Sequence, residues 1–474
     1  MTEVFLDALA ARLGAGAVLT DPQEMAGYAT DWRHLYQGRP RAVLRPTSTG
    51  AVAEAVRLCA AAGVPIVPQG GNTSMVGGAT PAADAGAVVL SLERLRRLRA
   101  IDPVELTMTV EAGVTLAAAQ GMAAEAGMLL PLSISSEGSA QIGGVLATNA
   151  GGNNTLRFGN ARDLVLGLEV VLADGTVWDG LRRLHKDNTG YALRQLFVGS
   201  EGTLGIITAA VLRLQPGVSA RTSAFCALTS VDQALALLAR LRRRDAGALY
   251  AFEYMSGASV DLVLRHVAGV SLPVAAAPHY VLVDYASTGQ DEAQRLLDSA
   301  LEEVLGAALE EGDLADAALS QTEAQRAAFW TLREEHAEAQ KRAGASVKND
   351  VSVPLAALPA FLSEAAAAVG GLVPGIRIAP FGHLGDGNIH FNLVQPEGDD
   401  GAAFLARAEE LMAAVNAVVR RLGGSFSAEH GVGRLKAGLM ESWRGGAELQ
   451  MMRRIKVALD PAGLLNPGVI FPPG

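Results

Sequence analysis

The sequence predicts an α+β chain built as two folded parts, with a helical segment at its C-terminal end. Three features point there. Apolar strands alternate with amphipathic helices from Ala42 onward. Gly-dense loops interrupt that alternation as far as Gly205. The turn sequence Gln215-Pro216-Gly217 then breaks the pattern, and strand–helix–strand units begin again after it. At 474 residues the chain exceeds what one core usually holds.

Residues 1–39 read as a helical lead-in, with an apolar stripe at Phe5, Leu6, Leu9 and Leu13. Val43-Leu44 is a short strand, Ala51 to Ala62 an Ala-rich amphipathic helix, and Pro65 to Val67 a strand that runs into a Gly-rich loop. Strands at Ala87 to Leu92 and Thr107 to Glu111 follow, then a helix from Thr115 to Ala126. Leu164 to Trp178 reads as a hairpin around Ala173-Asp174-Gly175. Gly202 to Leu214 is the last strand of this first α/β part, 40–217. The second part, 218–425, opens with a strand at Ala224 to Leu228 and a helix at Val231 to Arg243. Strands at Ala248 to Tyr254 and Tyr280 to Tyr285 lead to a helix at Asp291 to Leu305, a ferredoxin-like α+β order. Ala-rich helices follow at 355–369 and 402–421, and 426–474 form the C-terminal segment.

Composition narrows the function classes. Half the residues are hydrophobic and 19% are charged, which is a globular balance. A formal net charge of −10 argues against nucleic acid and anionic lipid as partners. The short run of Arg240, Arg242, Arg243 and Arg244 ends an apparent helix, where cations suit the dipole. Cys59 and Cys226 stand alone, in no metal or redox spacing, which fits a reducing compartment. The N-terminus lacks the basic and apolar regions of a signal peptide. Uncharged stretches such as Leu58 to Ala83 are broken by Pro, Gly and Asn, so none reads as a membrane span. The expectation is a cytoplasmic protein.

The loop 68–81 holds four glycines and several small polar residues directly after a strand. Backbone amides free of side chains can close around a phosphate. No Lys follows as in a Walker A loop, and the spacing is not G-x-G-x-x-G. Alone, the loop fits a plain Gly-rich turn equally well. Two further Gly-dense stretches, 138–152 and 187–206, lie in the same part. Three such loops are costly in chain entropy, and a large flat ligand against closely packed backbone accounts for them.

These stretches resemble the FAD-binding domain of the vanillyl-alcohol oxidase (PCMH) type. The resemblance rests on the 68–81 loop, on Ile142-Gly143-Gly144 with Thr148-Asn149-Ala150-Gly151-Gly152, and on Gly199-Ser200-Glu201-Gly202-Thr203-Leu204-Gly205. It implies that Pro68, Gln69, Gly70, Gly71, Asn72, Thr73, Ser74, Gly77 and Gly78 hold the FAD pyrophosphate. Ser133, Gly138, Ser139, Ile142, Gly143, Gly144, Thr148, Asn149, Gly151, Gly152, Glu201, Gly202 and Ile206 would line the rest of the cofactor. No His lies in the first loop or in 131–152, so noncovalent FAD is implied.

A second constellation lies near the C-terminus. His383 and His390 flank a Gly-rich turn in Phe-Gly-His-Leu-Gly-Asp-Gly-Asn-Ile-His-Phe-Asn. The alternation of Ile389, Phe391 and Leu393 with His390 and Asn392 puts the last two on one face of a strand. Ser-Ala-Glu-His-Gly-Val-Gly adds Glu429 and His430. Three of eight histidines in two short segments, with a carboxylate, point to a divalent metal. Asp386 sits in Asp-Gly-Asn, a turn former, and reads as structural.

These motifs resemble the C-terminal domain of FAD-linked 2-hydroxy-acid dehydrogenases, and the likeness runs from about residue 40 to the end. The tail from Lys456 through Asp460-Pro461 to Asn466-Pro467-Gly468 belongs to the same pattern, and Asn466 is implied as a flavin contact. The resemblance implies that His383, His390 and Glu429 hold zinc, manganese or iron, with His430 as the base. It also implies Arg333, Lys348 and Asn392 as substrate contacts, which favours a dicarboxylic D-2-hydroxy acid over D-lactate or glycolate. Arg333 is placed in one helix over 322–341. Some relatives carry a Thr one turn after that Arg; here the position is Ala337, and the neighbouring His336 reads as a surface histidine. An electron acceptor is implied, with an electron-transfer flavoprotein, a quinone and a cytochrome all open, and a homodimer is one option. The rival readings are an oxidase, a subunit of a larger complex, a covalent flavoprotein and a non-catalytic flavin-binding module.

Overall fold

The computed structural model describes residues 2–14, 16–83, 86–289 and 292–472. They form two compact units. The first comprises Met1–Gly151, Gly159–Gly217 and Glu429–Gly474, and the second Gly152–Phe158 and Val218–Ala428.

The first unit holds two main sheets and a two-stranded one, Met128–Leu129 with Gln215–Pro216. In one, the strands run in the order Val18–Leu19, Val43–Leu44, Val88–Ser91, Ile66–Gln69. The last three are parallel, and the edge strand is antiparallel. The helix Thr49–Ala62 starts at Ser48, whose hydroxyl accepts the Ala51 amide, and ends at Gly63 in the left-handed conformation. Its inner face packs with Leu9, Leu44, Ile66 and Leu90. Residues 1–39 thus contribute a strand and a helix to this sheet and its core. The other sheet is antiparallel, in the order Leu98–Asp102, Thr107–Glu111, Ile206–Arg213, Val165–Val171, Val177–Gly180. Between these strands emerge the Gly-rich loops.

The chain's tail re-enters this unit. Leu465 bridges to Ile66, the Ile66 amide donates to Leu464 O at 2.8 Å, and the Asn466 amide donates to Ile66 O at 2.8 Å. Lys456 fastens the loop below it. Its ammonium donates to Thr203 O and Leu465 O, both at 2.8 Å, and pairs with the buried Asp460.

The second unit is built on a seven-stranded sheet. Its order is Asp316–Leu319, Ala220–Leu228, His279–Ser287, Leu249–Ser256, Phe381–Gly382, Asn388–His390, Asp350–Ser352. Helices Val231–Asp245 and Ala293–Glu310 pack on it. Phe225, Met255, Phe329, Leu332 and Phe381 form a core with the helices Gly257–His266, Glu323–Glu334 and His336–Ala343.

Three expectations are corrected. The helix expected over 322–341 is two, Glu323–Glu334 and His336–Ala343, with Glu335 between them at ψ −1° and still bonded to Thr331 O and to the Ala339 amide. The helix expected over 402–421 breaks at Arg407, whose guanidinium pairs with Glu410 and donates to Leu372 O. The helix expected from Asp291 starts at Ala293, and Asp291 itself lies outside the described residues. The run Leu355–Leu372 is apolar and long enough, by length and composition, to cross a membrane. In the fold its Leu358, Phe361, Ala365 and Val369 are buried, and it packs on the helix Ala408–Arg421.

Replacing Lys456 by Met keeps the stem but strands a buried carboxylate and two carbonyls. We expect unfolding free energy to drop by about 3 kcal/mol, read from urea denaturation at neutral pH.

Candidate active site

Within the first unit the implied cofactor residues gather in one place. Gly71 lies so close to the second loop that a Cβ would stand 1.8 Å from Ser139 O. Gly70 faces Gln141 and the Gly144 amide, and Gly202 faces Pro68. The Asn72 side chain donates to Gly27 O and Thr30 O, and Gln69 donates to Tyr28 O and Ala79 O. The Ser74 hydroxyl accepts the amides of Val76 and Gly78, closing the loop that contains Thr73 and Gly77 on itself. The helix Ile142–Ala147 follows, with Thr148 donating back to Gly144 O and Asn149 accepting the Arg162 amide. Gly138, Ser133 and Gly151 border these loops in sequence. Ile206 is a core residue at 1% exposure, so only its backbone is presented. Gly152 falls in the second unit by contact.

The loops are tied together by two side chains. Asn466 donates to Gly78 O at 2.9 Å and to Glu201 O at 2.7 Å. The Glu201 carboxylate accepts the Val432 amide at 2.7 Å and the Gly433 amide at 2.8 Å. Burial pushes the Glu201 carboxyl up, against the pull of those two amides and Lys436.

The residues fit a dinucleotide. No hydrogen bond among the described residues uses the amides of Gly71, Asn72 or Thr73. Oδ1 of Asn72, Oε1 of Gln141 and Oδ1 of Asn466 are likewise buried without a partner. Buried polar groups in native proteins are rarely left so, and consecutive open amides make a phosphate nest.

The second unit holds a charged chain that the sequence reading missed. Glu253 stands at 1% exposure in the strand Leu249–Ser256. That strand pairs with Phe381–Gly382, Tyr254 opposite Gly382, so Glu253 comes beside His383. His383 Nδ1 lies 2.9 Å from one carboxylate oxygen, and Arg333 Nε donates to the other at 2.9 Å. Burial alone raises the Glu253 carboxyl, but His383 and Arg333 outweigh it and hold it below the usual range. With Nδ1 engaged, Nε2 is the His383 nitrogen suited to a metal, the arrangement that carboxylates impose on ligating histidines. Arg333 also lies over the Phe381 ring, 5.1 Å from its centre. Phe381 in turn packs against His390, and the His383 and His390 rings lie 5.9 Å apart.

A single register gathers more of the expected residues. Ser346 and Val347 pair with Val394 and Leu393, while Asp350, Val351 and Ser352 pair with His390, Ile389 and Asn388. Carried through the step between, that register sets Lys348 opposite Asn392 and Asp350 opposite His390. Asn349 and Phe391 clasp each other there, through a backbone and a side-chain bond of 2.9 Å each. The single strand expected through 389–393 is therefore corrected to two. Asn388–His390 belongs to the seven-stranded sheet and Leu393–Val394 to a three-stranded one, because the Asn392 amide turns back onto His390 O. Asp386 accepts the Asn388 amide in the tight turn before them.

Asp350 and His390, opposite each other in the sheet, carry a carboxylate and an imidazole, donor types that divalent zinc or manganese accepts. Glu429 and His430 follow Ser425, which bridges to Ser352.

His336 is not a surface histidine. It is completely buried, stacked on Phe381 at 4.8 Å, with Nδ1 2.8 Å from the Ser259 hydroxyl. The helix break at Glu335 turns His336 inward and leaves Ala337 exposed. The network runs on: Gln340 donates to Ser259 and to Ala379 O, and Asn392 donates to Gln340 Oε1 at 2.8 Å. The implied substrate residue Asn392 is thus held in one amide orientation.

Comparisons with known proteins cover nearly the whole chain. A family profile for an FAD binding domain matches residues 40–180, and one for the C-terminal domain of FAD linked oxidases matches 218–470. The D-2-hydroxyglutarate dehydrogenase of Xanthomonas citri pv. viticola is 38% identical over 472 residues, 99% of this chain and 98% of that protein. The mitochondrial D-2-hydroxyglutarate dehydrogenase of Bos taurus is 39% identical over 462 residues, 97% of this chain and 82% of that protein. Among solved structures, p-cresol methylhydroxylase with substrate bound superposes with a TM-score of 0.74 at 16% identity, covering 99% of this chain and 97% of that one. An alkyldihydroxyacetonephosphate synthase gives 0.74 at 17%, covering 98% and 85%. These two share the fold.

Two outcomes check the second unit. Glu253→Ala leaves Arg333 buried and unpaired, so we expect a stability loss of about 3–5 kcal/mol in urea unfolding. Burial, with Arg333 adding to it, pushes the His336 imidazole from its ordinary 6.5 down to about 3. The unfolded chain then binds the proton that the folded one refuses. Stability is full above pH 6.5 and falls as pH drops from there towards about 3. Between pH 7 and 5 the loss from this group is about 2 kcal/mol, and His336→Gln flattens that slope.

Proposed function

This chain belongs to the FAD-linked oxidases, in the family of the D-2-hydroxyglutarate dehydrogenases, and from that premise we propose that it oxidises a dicarboxylic D-2-hydroxy acid to the 2-oxo acid. Its fold is that of the p-cresol methylhydroxylase type of flavoprotein. D-2-hydroxyglutarate and D-malate are the substrates we favour. The observation that supports this reading is the register of 346–352 on 388–394, which pairs Asp350 with His390 in one sheet and Val347 with Leu393 in another, with Lys348 and Asn392 in the steps between.

In this reading Arg333 and Lys348 bind the carboxylates and Asn392 orients the substrate. Arg333 keeps its guanidinium plane fixed through Glu253 and Phe381, so little is lost in ordering it on binding. His383, His390 and Glu429 hold the metal, and Asp350 is a further candidate from its place opposite His390. When bound, the metal lowers the pKa of the substrate hydroxyl. A neutral His430 takes the hydroxyl proton. FAD, held noncovalently by the loops of the first unit, supplies the oxidant that accepts the Cα hydrogen as hydride. The electrons then pass to an acceptor of the electron-transfer flavoprotein or quinone class. Cytoplasmic residence belongs to the same proposal, supported by Cys59 and Cys226, both buried and unpaired.

The test is anaerobic titration of the purified flavoprotein with D-2-hydroxyglutarate, D-malate, D-lactate and glycolate. We expect the oxidised-flavin band to bleach with a dicarboxylic acid and a chelator to abolish the bleaching. A yellow protein that none of the four acids bleaches overturns the assignment. Lys348→Met should raise KM for the dicarboxylic acid by about 10- to 100-fold, the scale of one lost charged hydrogen bond, and change D-lactate turnover far less.

A further inference from the structure

Glu201 lies in Gly-Ser-Glu-Gly-Thr-Leu-Gly, a stretch whose likeness to known flavoproteins implies a cofactor contact. Its side chain does something else. The carboxylate is 8% exposed and points at the backbone that follows His430, accepting the amides of Val432 and Gly433. That backbone is shaped to meet it. Gly431 and Gly433 both have positive φ, +79° and +52°, so neighbouring amides turn toward one point and form an anion nest. A Cβ on Gly431 would stand 2.9 Å from Glu201 Oε1, and one on Gly433 would stand 2.3 Å from Val76 O. Neither position has room for a side chain.

Glu201 itself is held on both sides. Its amide donates to Ala147 O at 2.8 Å, and its carbonyl accepts from Asn466. Its own φ is +50°, a conformation that non-glycine residues rarely adopt. A carboxylate is also a poor neighbour for a diphosphate, since like charges repel. Burying it is unfavourable unless its oxygens are bonded, and among the described residues the hydrogen bonds they accept come from the turn after His430.

We propose that Glu201 is a positioning residue for the base: by clamping the amides of Val432 and Gly433 it fixes the turn that carries His430. The proposal rests on the reading of His430 as the base. Its reach is short, because two peptide units separate His430 from the first clamped amide, so the imidazole inherits the turn's position almost directly. The same clamp joins the His430 turn to a loop of the cofactor cradle within one unit, so base and flavin loop are set by one carboxylate.

The experiment uses the full-length flavoprotein and Glu201→Gln and Glu201→Asp. Gln keeps the shape but offers one acceptor and one donor, so one amide loses its partner. Asp keeps the charge but is a methylene short. Two readouts are needed. Flavin content and the rate of flavin reduction by D-2-hydroxyglutarate separate cofactor binding from chemistry, and hydrogen exchange at 426–436 reports the turn directly. We expect Glu201→Gln to retain FAD, to leave KM within about threefold, and to lose about 100-fold in kcat, the scale of a small misplacement of a reacting group. Exchange at Val432 and Gly433 should accelerate, with Glu201→Asp intermediate in both readouts. A variant that sheds FAD, and then reacts at the wild-type rate once excess FAD refills it, overturns the proposal in favour of a cofactor contact. Unchanged exchange at the two amides also overturns it. If neither variant folds, the wild-type protein decides: protection of Val432 and Gly433 comparable to the sheet supports the clamp, and exchange at an open-loop rate removes it. If no hydroxy acid reduces the wild-type flavin, the functional reading fails, while the exchange comparison still tests the clamp.

Discussion

A carboxylate with 1% exposure stays ionised only if charge or hydrogen bonds surround it, and Glu253 has both. Arg333 comes from a helix and His383 from the position just after the short strand Phe381–Gly382, 80 and 130 residues away in the chain. Each would be hard to bury alone. Together they share one negative centre, and the sharing sets the Arg333 plane and the His383 tautomer at once. Phe381 completes the arrangement by packing its ring against Arg333, His336 and His390. The polar residues of the second unit are therefore ordered before any ligand arrives, which lowers the entropy lost on binding.

The first unit reaches order by a different route. Its loops carry few large side chains, so they are held by backbone contacts and a small number of polar clamps. Asn466, Glu201 and Lys456 each bond to main-chain atoms of segments far away in sequence. Glycine is required where the loops touch, as at Gly71 against Ser139 O. Close backbone packing leaves amides pointing inward with no protein acceptor, which is the property an anionic dinucleotide needs.

Much of this was legible in the residues. Strand and helix positions followed from apolar periodicity, as in Thr49–Ala62 and Thr107–Glu111, because those segments sit on a core with one face. The Gly-rich loops were legible as a cradle because their cost in chain entropy demands a ligand. His383 and His390 stood out by type and spacing, and Lys348 and Asn392 through the family resemblance. Long helices were read too generously. Nothing in an Ala- and Glu-rich run marks a break at Glu335 or Arg407, since both residues favour helix locally.

The sequence by itself determined the alternation of elements, the boundary at Gln215-Pro216-Gly217, the flavoprotein family and the chemical types in the site. Those follow from local periodicity and from short motifs whose residues lie close along the chain. Only the tertiary structure decided that Glu253, an unremarkable residue between Phe252 and Tyr254, joins Arg333 to His383, that His336 is buried, and that Glu201 faces the turn after His430. Each of these is a bond between residues tens to hundreds of positions apart. No local pattern encodes such a pairing, because it is set by strand register and helix phase once the whole unit has packed.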